Sequence, residues 1–383
     1  MRLFTRSAPF AMPGIDPRSA LVALNAARSL PREAVCRLSL RLNRWIGGAR
    51  RGPSDELTRE LGVPPRQVAD ARRTLERAEA TARREIERAT ALDVRILTLF
   101  DQDYPEPLRE LSLPPPVLYC RGTIPRRPGV AMVGSRRADP LGVEVAELFA
   151  ERLAAAGLAI ISGFARGIDT AAHRGALSAP GGTTVAVLGS GLDVLYPKAN
   201  RRLTGQVASQ GALLTEFPFG TLPLARNFPV RNRIIAALAV GTLVVQAAPR
   251  SGSLITARLA LELGRDVYAV PGRIFDERSF GTNALIQDGA LLVQRPRDIL
   301  ESLPLAAREQ LPKPESEAAD PAPQVAGPAG AALAALAPGR LLTADQVAER
   351  SGLTVEETLA ALLQLELAGR IRRCPGPAFL RRG

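Results

Sequence analysis

The sequence predicts an α/β protein: a doubly wound, Rossmann-like parallel sheet flanked by a helical N-terminal domain and a C-terminal winged helix. Three observations carry this. From about residue 129 onward, short apolar runs alternate with helical stretches. The runs are apolar throughout, as expected of strands covered by helices on both faces. Several runs end in Gly/Ser turns that open the next helix, at the edge where open parallel sheets bind ligands.

Residues 17–95 are polar and helical in character, rich in Ala, Arg, Leu and Glu. Within them, DELTRELGVPPRQVADARRTLERA reads as helix, turn and helix, with Pro64-Pro65 opening the second. A nucleic-acid-binding module and a packing module with solvated arginines fit this pattern equally. YPEPLRELSLPPPVLYCRG is proline-dense and is expected to cross the surface as an extended connector. The alternation then begins with strand GVAMVGS, helix PLGVEVAELFAERLAAAG, strand LAIIS and a helix from about Ile168. Strands TTVAVLGS, ALLTEF, TLVVQAA and DVYAVPG follow, separated by helices near 199–210, at RNRIIAALAV and at SLITARLALELG. NALIQDGALLVQ closes the series, giving a doubly wound sheet over about residues 128–300.

Residues 303–328, including PKPESEAADPAPQVAGP, lack large apolar groups and read as a flexible linker. Beyond it, TADQVAERSG and TVEETLAALLQLELAG are helical, and RIRRCPGPAFLRR is a basic hairpin, together a winged helix. Thr343 and Thr354 stand where N-caps belong, and Gly352 and Gly369 where helices end. The expected boundaries are 1–95 for the helical domain, 96–302 for the core, 303–328 for the linker and 329–383 for the winged helix.

Of the 383 residues, 46% are apolar, enough to build more than one buried core. No run approaches the roughly 18 apolar residues of a membrane span. The longest, AALAVGTLVVQAA, is broken by Gly241. MRLFTRSAPFAMPG has no continuous apolar segment, so a cytoplasmic protein without a secretory signal is expected. Cys36, Cys120 and Cys374 are scattered and odd in number, which fits a reducing compartment. With one histidine and no Cys-x-x-Cys pair, no metal is expected, and no cofactor either. The net charge of +12 favours a polyanionic partner, nucleic acid first. Lysine occurs only at Lys198 and Lys313, so a general preference for arginine accounts for the charge as well.

Four turns fall at the predicted carboxyl ends of strands: Gly134-Ser135-Arg136, Ser162-Gly163, Gly189-Ser190-Gly191 and Ser251-Gly252-Ser253. Singly, each is an ordinary tight connection. Together they form a rim where backbone amides can approach an anion and helix N-termini add positive partial charge. Arg136, Arg137, Lys198, and Arg231 and Arg233 of FPVRNR make that rim basic, and Asn232 between the last two is a further candidate contact. Phe228 beside them is suited to stacking on a base, the way single strands are held without sequence preference, or to packing in a core. A Walker loop is absent, and GSGLDV lacks the third glycine of the dinucleotide fingerprint.

MVGSR, SGFARGIDTAAHRGAL, AVLGSGLDVLYPKAN, FPVRNRIIAALA and SGSLITARLALELGRDVYAVPG occur in this order. The succession resembles the DNA-processing protein A (DprA, or Smf) family, strongly over about residues 90–300 and more weakly at both ends. The resemblance implies an extended Rossmann-like core, a SAM-like N-terminal domain and a winged-helix tail. It also implies a protein without catalysis that binds and protects single-stranded DNA in natural transformation. Such a protein loads the RecA recombinase on the strand and forms a homodimer through its core. Matched motif by motif, Arg136 and Lys198 correspond to phosphate contacts, Phe228 to a base-stacking ring, and Arg265 to a further basic contact.

The alternative is a small-nucleotide-binding protein, or an enzyme resembling the nucleoside-monophosphate phosphoribohydrolases. Those enzymes carry Pro-Gly-Gly-x-Gly-Thr-x-x-Glu, which PGGTTVAVL at 180–188 matches only in part. Thr184 replaces a glycine and Leu188 replaces the catalytic glutamate, so the acid–base group is missing. Asp169 and His173 lie one helical turn apart, yet a relay would also need a positioned nucleophile, and Ser162 is near only in sequence. Their expected roles are structural: Asp169 fixes the turn at the helix start, and His173 packs beneath it.

Overall fold

The computed structural model describes residues 16–40, 62–312, 327–337, 340–374, 376 and 378–381. The first half of the expected N-terminal helix–turn–helix and linker residues 313–326 lie outside the described residues.

Helix Pro17–Ala26 begins where the Asp16 carboxylate accepts from the Ser19 amide and Pro17 takes the first position. Arg32–Leu40, Pro65–Leu75 and Ala78–Ala91 follow as the other described helices of the N-terminal part. Their apolar faces merge with the core: Leu21, Leu24 and Leu38 belong to the same buried cluster as Tyr119, Leu214 and Ile234.

The main sheet contains β1 (Arg95–Thr98), β2 (Val117–Gly122), β3 (Gly129–Val133), β4 (Ala159–Ser162) and β5 (Thr183–Val187). It continues with β6 (Gly211–Thr215), β7 (Gly241–Val244), β8 (Asp266–Ala269) and β9 (Leu291–Leu292). The spatial order is β1-β2-β6-β5-β4-β3-β7-β8-β9. Strands β3 to β9 run parallel, and β1 and β2 extend the β6 edge antiparallel. Winding thus proceeds outward from β3 to β6, then returns to the other side of β3 for β7, β8 and β9. Between β3 and β7, paired from Val130–Gly241 to Val133–Val244, the connections diverge in opposite directions and leave a crevice.

Side-chain alternation explains the continuous apolar strands. Val130, Met132 and Ile160 pack with Phe149 and Leu153 of helix Pro140–Ala155 and Ala172 of helix Ile168–Ser178. Ala131, Val133, Ile161 and Val185 face the other layer, with Ile234 of helix Asn227–Leu238 and Ala257 of helix Gly252–Glu262. Both faces are dry, so no strand position needs to be polar.

The structure corrects three expectations. The proline-dense segment is no surface connector, because Val117–Gly122 forms β2, buried at its first four positions and paired with both β1 and β6. Its prolines all precede the strand and cost no ladder bond, while the Tyr104 hydroxyl donates to the Pro115 carbonyl at 2.6 Å. The expected linker starts with helix Leu305–Arg308, and Leu303 and Ala307 are buried against the core. The helix expected at 231–240 starts at Asn227, which puts Phe228 in its first turn.

At the C-terminus, helices Gly327–Ala335, Ala344–Ser351 and Val355–Leu367 accompany a small sheet of β10 (Leu342–Thr343), β11 (Ile371–Cys374) and β12 (Ala378–Arg381). This is the expected winged helix. Thr343 and Thr354 form capping boxes with Gln346 and Glu357, and Gly352 ends its helix in the left-handed region.

Candidate nucleic-acid interface

At the switch point the loops leaving β3 and β7 enclose a cleft of about 550 Å³. Its walls are Gly134-Ser135-Arg136-Arg137 after β3 and Arg250-Ser251-Gly252-Ser253 after β7, with Phe228, Arg231 and Asn232 from helix Asn227–Leu238. Arg136, Arg137 and Arg250 are exposed, so three cations ring the opening. Helix Gly252–Glu262 also starts here, with Ser251 as its cap.

Phe228 is half-buried beside Gly189. The Arg136 guanidinium carbon lies 4.8 Å from its ring centre and that of Arg231 lies 5.8 Å away. The Tyr196 ring sits at 6.0 Å, tilted by 48°. Glycine at 189 lets the ring pack closely, since a Cβ there would stand 3.0 Å from Phe228 Cδ1. The neighbouring Asn227 amide donates to the carbonyls of Gly189 and Leu222, both at 3.0 Å, and fixes the helix start.

Arg231 is only 3% exposed. Its Nη1 donates to the Gly163 carbonyl at 2.6 Å and to the Val187 carbonyl, and its Nε donates to Asn232 Oδ1 at 3.1 Å. Asn232 donates in turn to the Gly252 carbonyl at 3.3 Å. One arginine therefore ties the ends of β4 and β5 together, and Asn232 adds the β7 turn. Burial lowers the Arg231 pKa to about 10, opposed by the nearby Asp169 charge, so the group stays cationic at neutral pH. Burial likewise raises the Asp169 carboxyl, and Arg231 opposes the rise. Asp169 Oδ2 accepts from the Ala165 amide at 3.2 Å.

His173 is fully buried. Its Nδ1 lies 2.7 Å from Thr184 Oγ1, which also lies 2.6 Å from the Ile160 carbonyl. The carbonyl can only accept, so it takes the single Thr184 hydroxyl proton and Nδ1 must donate. Nε2 has no hydrogen-bond partner among the described residues, and the Phe164 ring is 5.6 Å away, centre to centre. Burial, reinforced by the Arg231 charge, drives the ring pKa down to about 3 and keeps it neutral. Asp169 is buried with one edge on the cleft lining, and His173 is fully enclosed.

The structure brings Gly134, Ser135, Arg136, Phe228, Arg231, Asn232, Ser251, Gly252 and Ser253 to one cleft. Gly163 and Gly189 lie directly behind it, through Arg231 and Phe228. Lys198 is exposed at the flank. Its segment is pinned by Asn200, which donates to the Phe164 carbonyl at 3.0 Å and to Thr170 Oγ1 at 2.9 Å.

Four residues fall elsewhere. The Ser162 hydroxyl turns back into the sheet and donates to the Met132 carbonyl at 2.6 Å. Gly191 belongs to a turn behind Asp193, its amide donating to the Thr221 carbonyl at 3.0 Å. Arg233 points to the N-terminal helices and pairs with the buried Glu216 at 2.6 Å. Arg265 precedes β8, at the amino edge of the sheet.

The anion cradle also changes character, because several rim amides are already engaged. Ser135 N–H is given to the Gln246 carbonyl at 2.7 Å, and Ser253 N–H to Ser251 Oγ at 3.3 Å. The side-chain cations Arg136, Arg137 and Arg250 are therefore the charge that the rim leaves open to solvent. Sequence reasoning missed Arg250, although its place directly before Ser251-Gly252-Ser253 was the available signal.

Fold and cleft together define a Rossmann-type protein with an arginine-ringed, aromatic-bearing cleft at its topological switch point. The family model for DNA recombination-mediator protein A matches residues 95–304, and the DprA winged helix domain matches 316–377. Protein Smf of Escherichia coli is 46% identical over 64% of this chain and 66% of its own length, just under two thirds. DNA processing protein DprA of Streptococcus pneumoniae is 46% identical over 53% of this chain and 72% of its own. The crystal structure of DprA from Streptococcus pneumoniae superposes with a TM-score of 0.64 at 35% identity, covering 75% of this chain and 98% of that one. The chain belongs to the DprA/Smf family of DNA-processing proteins.

Proposed function

We propose that the switch-point cleft binds single-stranded DNA without sequence preference and leaves its covalent bonds intact. The observation that carries this reading is the half-buried Phe228 ring set among Arg136, Arg137 and Arg250 at one opening. Cations meet phosphates, and the ring offers a face on which any base can stack. A strand lying along the carboxyl edge meets Arg250 after β7, Arg136 after β3 and Lys198 beyond β5. The buried Arg231, Asn232 and Asp169 hold the walls in place. The neutral, enclosed His173 takes no part in turnover.

The family extends the reading. A recombination mediator protects the strand and passes it to a recombinase, RecA, and we assign that role to a cytoplasmic homodimer acting on DNA taken up in transformation. The matched family's description as a recombination mediator supports it.

Fluorescence anisotropy with an oligonucleotide and a mononucleotide over a salt series tests the site. The oligonucleotide should bind far more tightly, and Arg136→Ala and Lys198→Ala should each flatten the logarithmic salt slope by about 0.7. Equal affinity for the two ligands would support a small-nucleotide sensor instead.

A further inference from the structure

The helix Val355–Leu367 is apolar on two sides. One side buries Thr358, Ala361, Leu362 and Leu365 inside the winged helix. The other carries Val355, Leu359, Leu363 and Leu367, which are 56%, 51%, 58% and 82% exposed. Their four-residue spacing makes a continuous ridge along the helix. The helix contains Glu356, Glu357 and Glu366 and no lysine or arginine. Glu357 is taken up by the cap, receiving the Thr354 amide at 3.0 Å, which leaves Glu356 and Glu366 beside opposite ends of the ridge.

A helix that enters a DNA groove needs cations facing phosphates, and this one offers carboxylates and leucines. We propose that this ridge is a docking surface for an amphipathic helix of a partner protein, one with apolar anchors flanked by lysine or arginine. Charge selects this occupant over a second copy of the chain. Ridge against ridge in antiparallel array sets Glu356 against the other copy's Glu366, and in parallel array sets each carboxylate against its twin. A basic amphipathic helix buries the same leucines and neutralises both ends.

The probe is a labelled synthetic helix with leucines at every third or fourth position and flanking lysines, titrated into the full-length chain by anisotropy. A twin peptide with flanking glutamates is the control. The basic peptide should bind and the acidic one should not. Leu363→Glu should weaken binding at least about tenfold, the loss of one buried leucine, while the thermal melt, which reads the fold of this exposed position, stays unchanged. Glu356→Lys with Glu366→Lys should reverse the peptide preference. Failure of the basic peptide to bind would overturn the proposal, as would equal binding of both peptides. So would a dimer that Leu363→Glu splits in sedimentation, or a duplex-DNA affinity that Leu363→Glu abolishes.

Discussion

The guanidinium of Arg136 stands 4.8 Å from the centre of the Phe228 ring, so a cation and an aromatic ring share one cleft. The contact is exposed and worth about 0.5–1 kcal/mol, small enough for an arriving phosphate to draw the arginine aside. Phe228→Ala should then cost about 1–3 kcal/mol of single-strand affinity, five- to 150-fold, with the salt slope nearly unchanged. Arg136→Ala should change the slope as well. Anisotropy at three salt concentrations separates the two effects, and wild-type affinity in Phe228→Ala would remove the ring from the site.

Arg231 should matter for the fold before it matters for DNA. Removing it takes the larger of two nearby positive charges, Arg136 being the other, away from the buried Asp169 and frees two carbonyls. Each buried acceptor left without its donor costs about 1–3 kcal/mol. Arg231→Lys should fail to restore stability, because a single ammonium cannot reproduce the fork that reaches Gly163, Val187 and Asn232. Urea unfolding of the three proteins decides this; full stability in the lysine variant would count against the fork.

His173 gives the fold a defined pH dependence. Its folded pKa of about 3 lies below the ordinary 6.5, so between these values the unfolded chain holds a proton that the folded chain does not. The stabilisation is complete above pH 6.5 and drains away toward pH 3, at up to about 1.4 kcal/mol per unit. Asp169, whose carboxyl is raised, works in the opposite direction, losing stability as pH rises, but it is common to both proteins compared. The stability of wild type minus that of His173→Gln should therefore fall as the pH drops from 6.5 to 4. Parallel pH profiles for the two would contradict the neutral ring.

Gly167 carries a φ of 75° and a ψ of −128°, and a Cβ there would lie 2.2 Å from the Ser135 carbonyl oxygen. Gly167→Ala should cost more than the roughly 1–3 kcal/mol of backbone strain alone. It should also push the turn after β3 out of place, so DNA affinity should fall by more than the loss of stability explains. Retained affinity in a folded Gly167→Ala protein would show that the turn tolerates displacement.

Much of the core was legible because two-sided burial makes each strand apolar throughout, and parallel winding forces all strand-end turns to one edge. That logic brought Arg136, Phe228 and Ser251 together across more than a hundred residues. The failures have equally physical causes. Arg231 and Arg233 are two residues apart on one helix, about 200° around its axis. They cannot both face the cleft, and Arg233 meets Glu216 instead. Arg265 stands before its strand and so belongs to the far edge. β2 was hidden by the prolines ahead of it, and its pairing depends on β1 and β6, which no local pattern reveals.

Because the crevice lies between the first-made parallel strand and the one that follows the reversal, its two lips are separated by most of the core's translation. A chain leaving the ribosome displays the Gly134 lip long before the Ser253 lip exists. Until residue 256 or so has emerged and folded back, there is nowhere for a polyanion to lodge, and nascent halves of the molecule should pass cellular nucleic acid without holding it here.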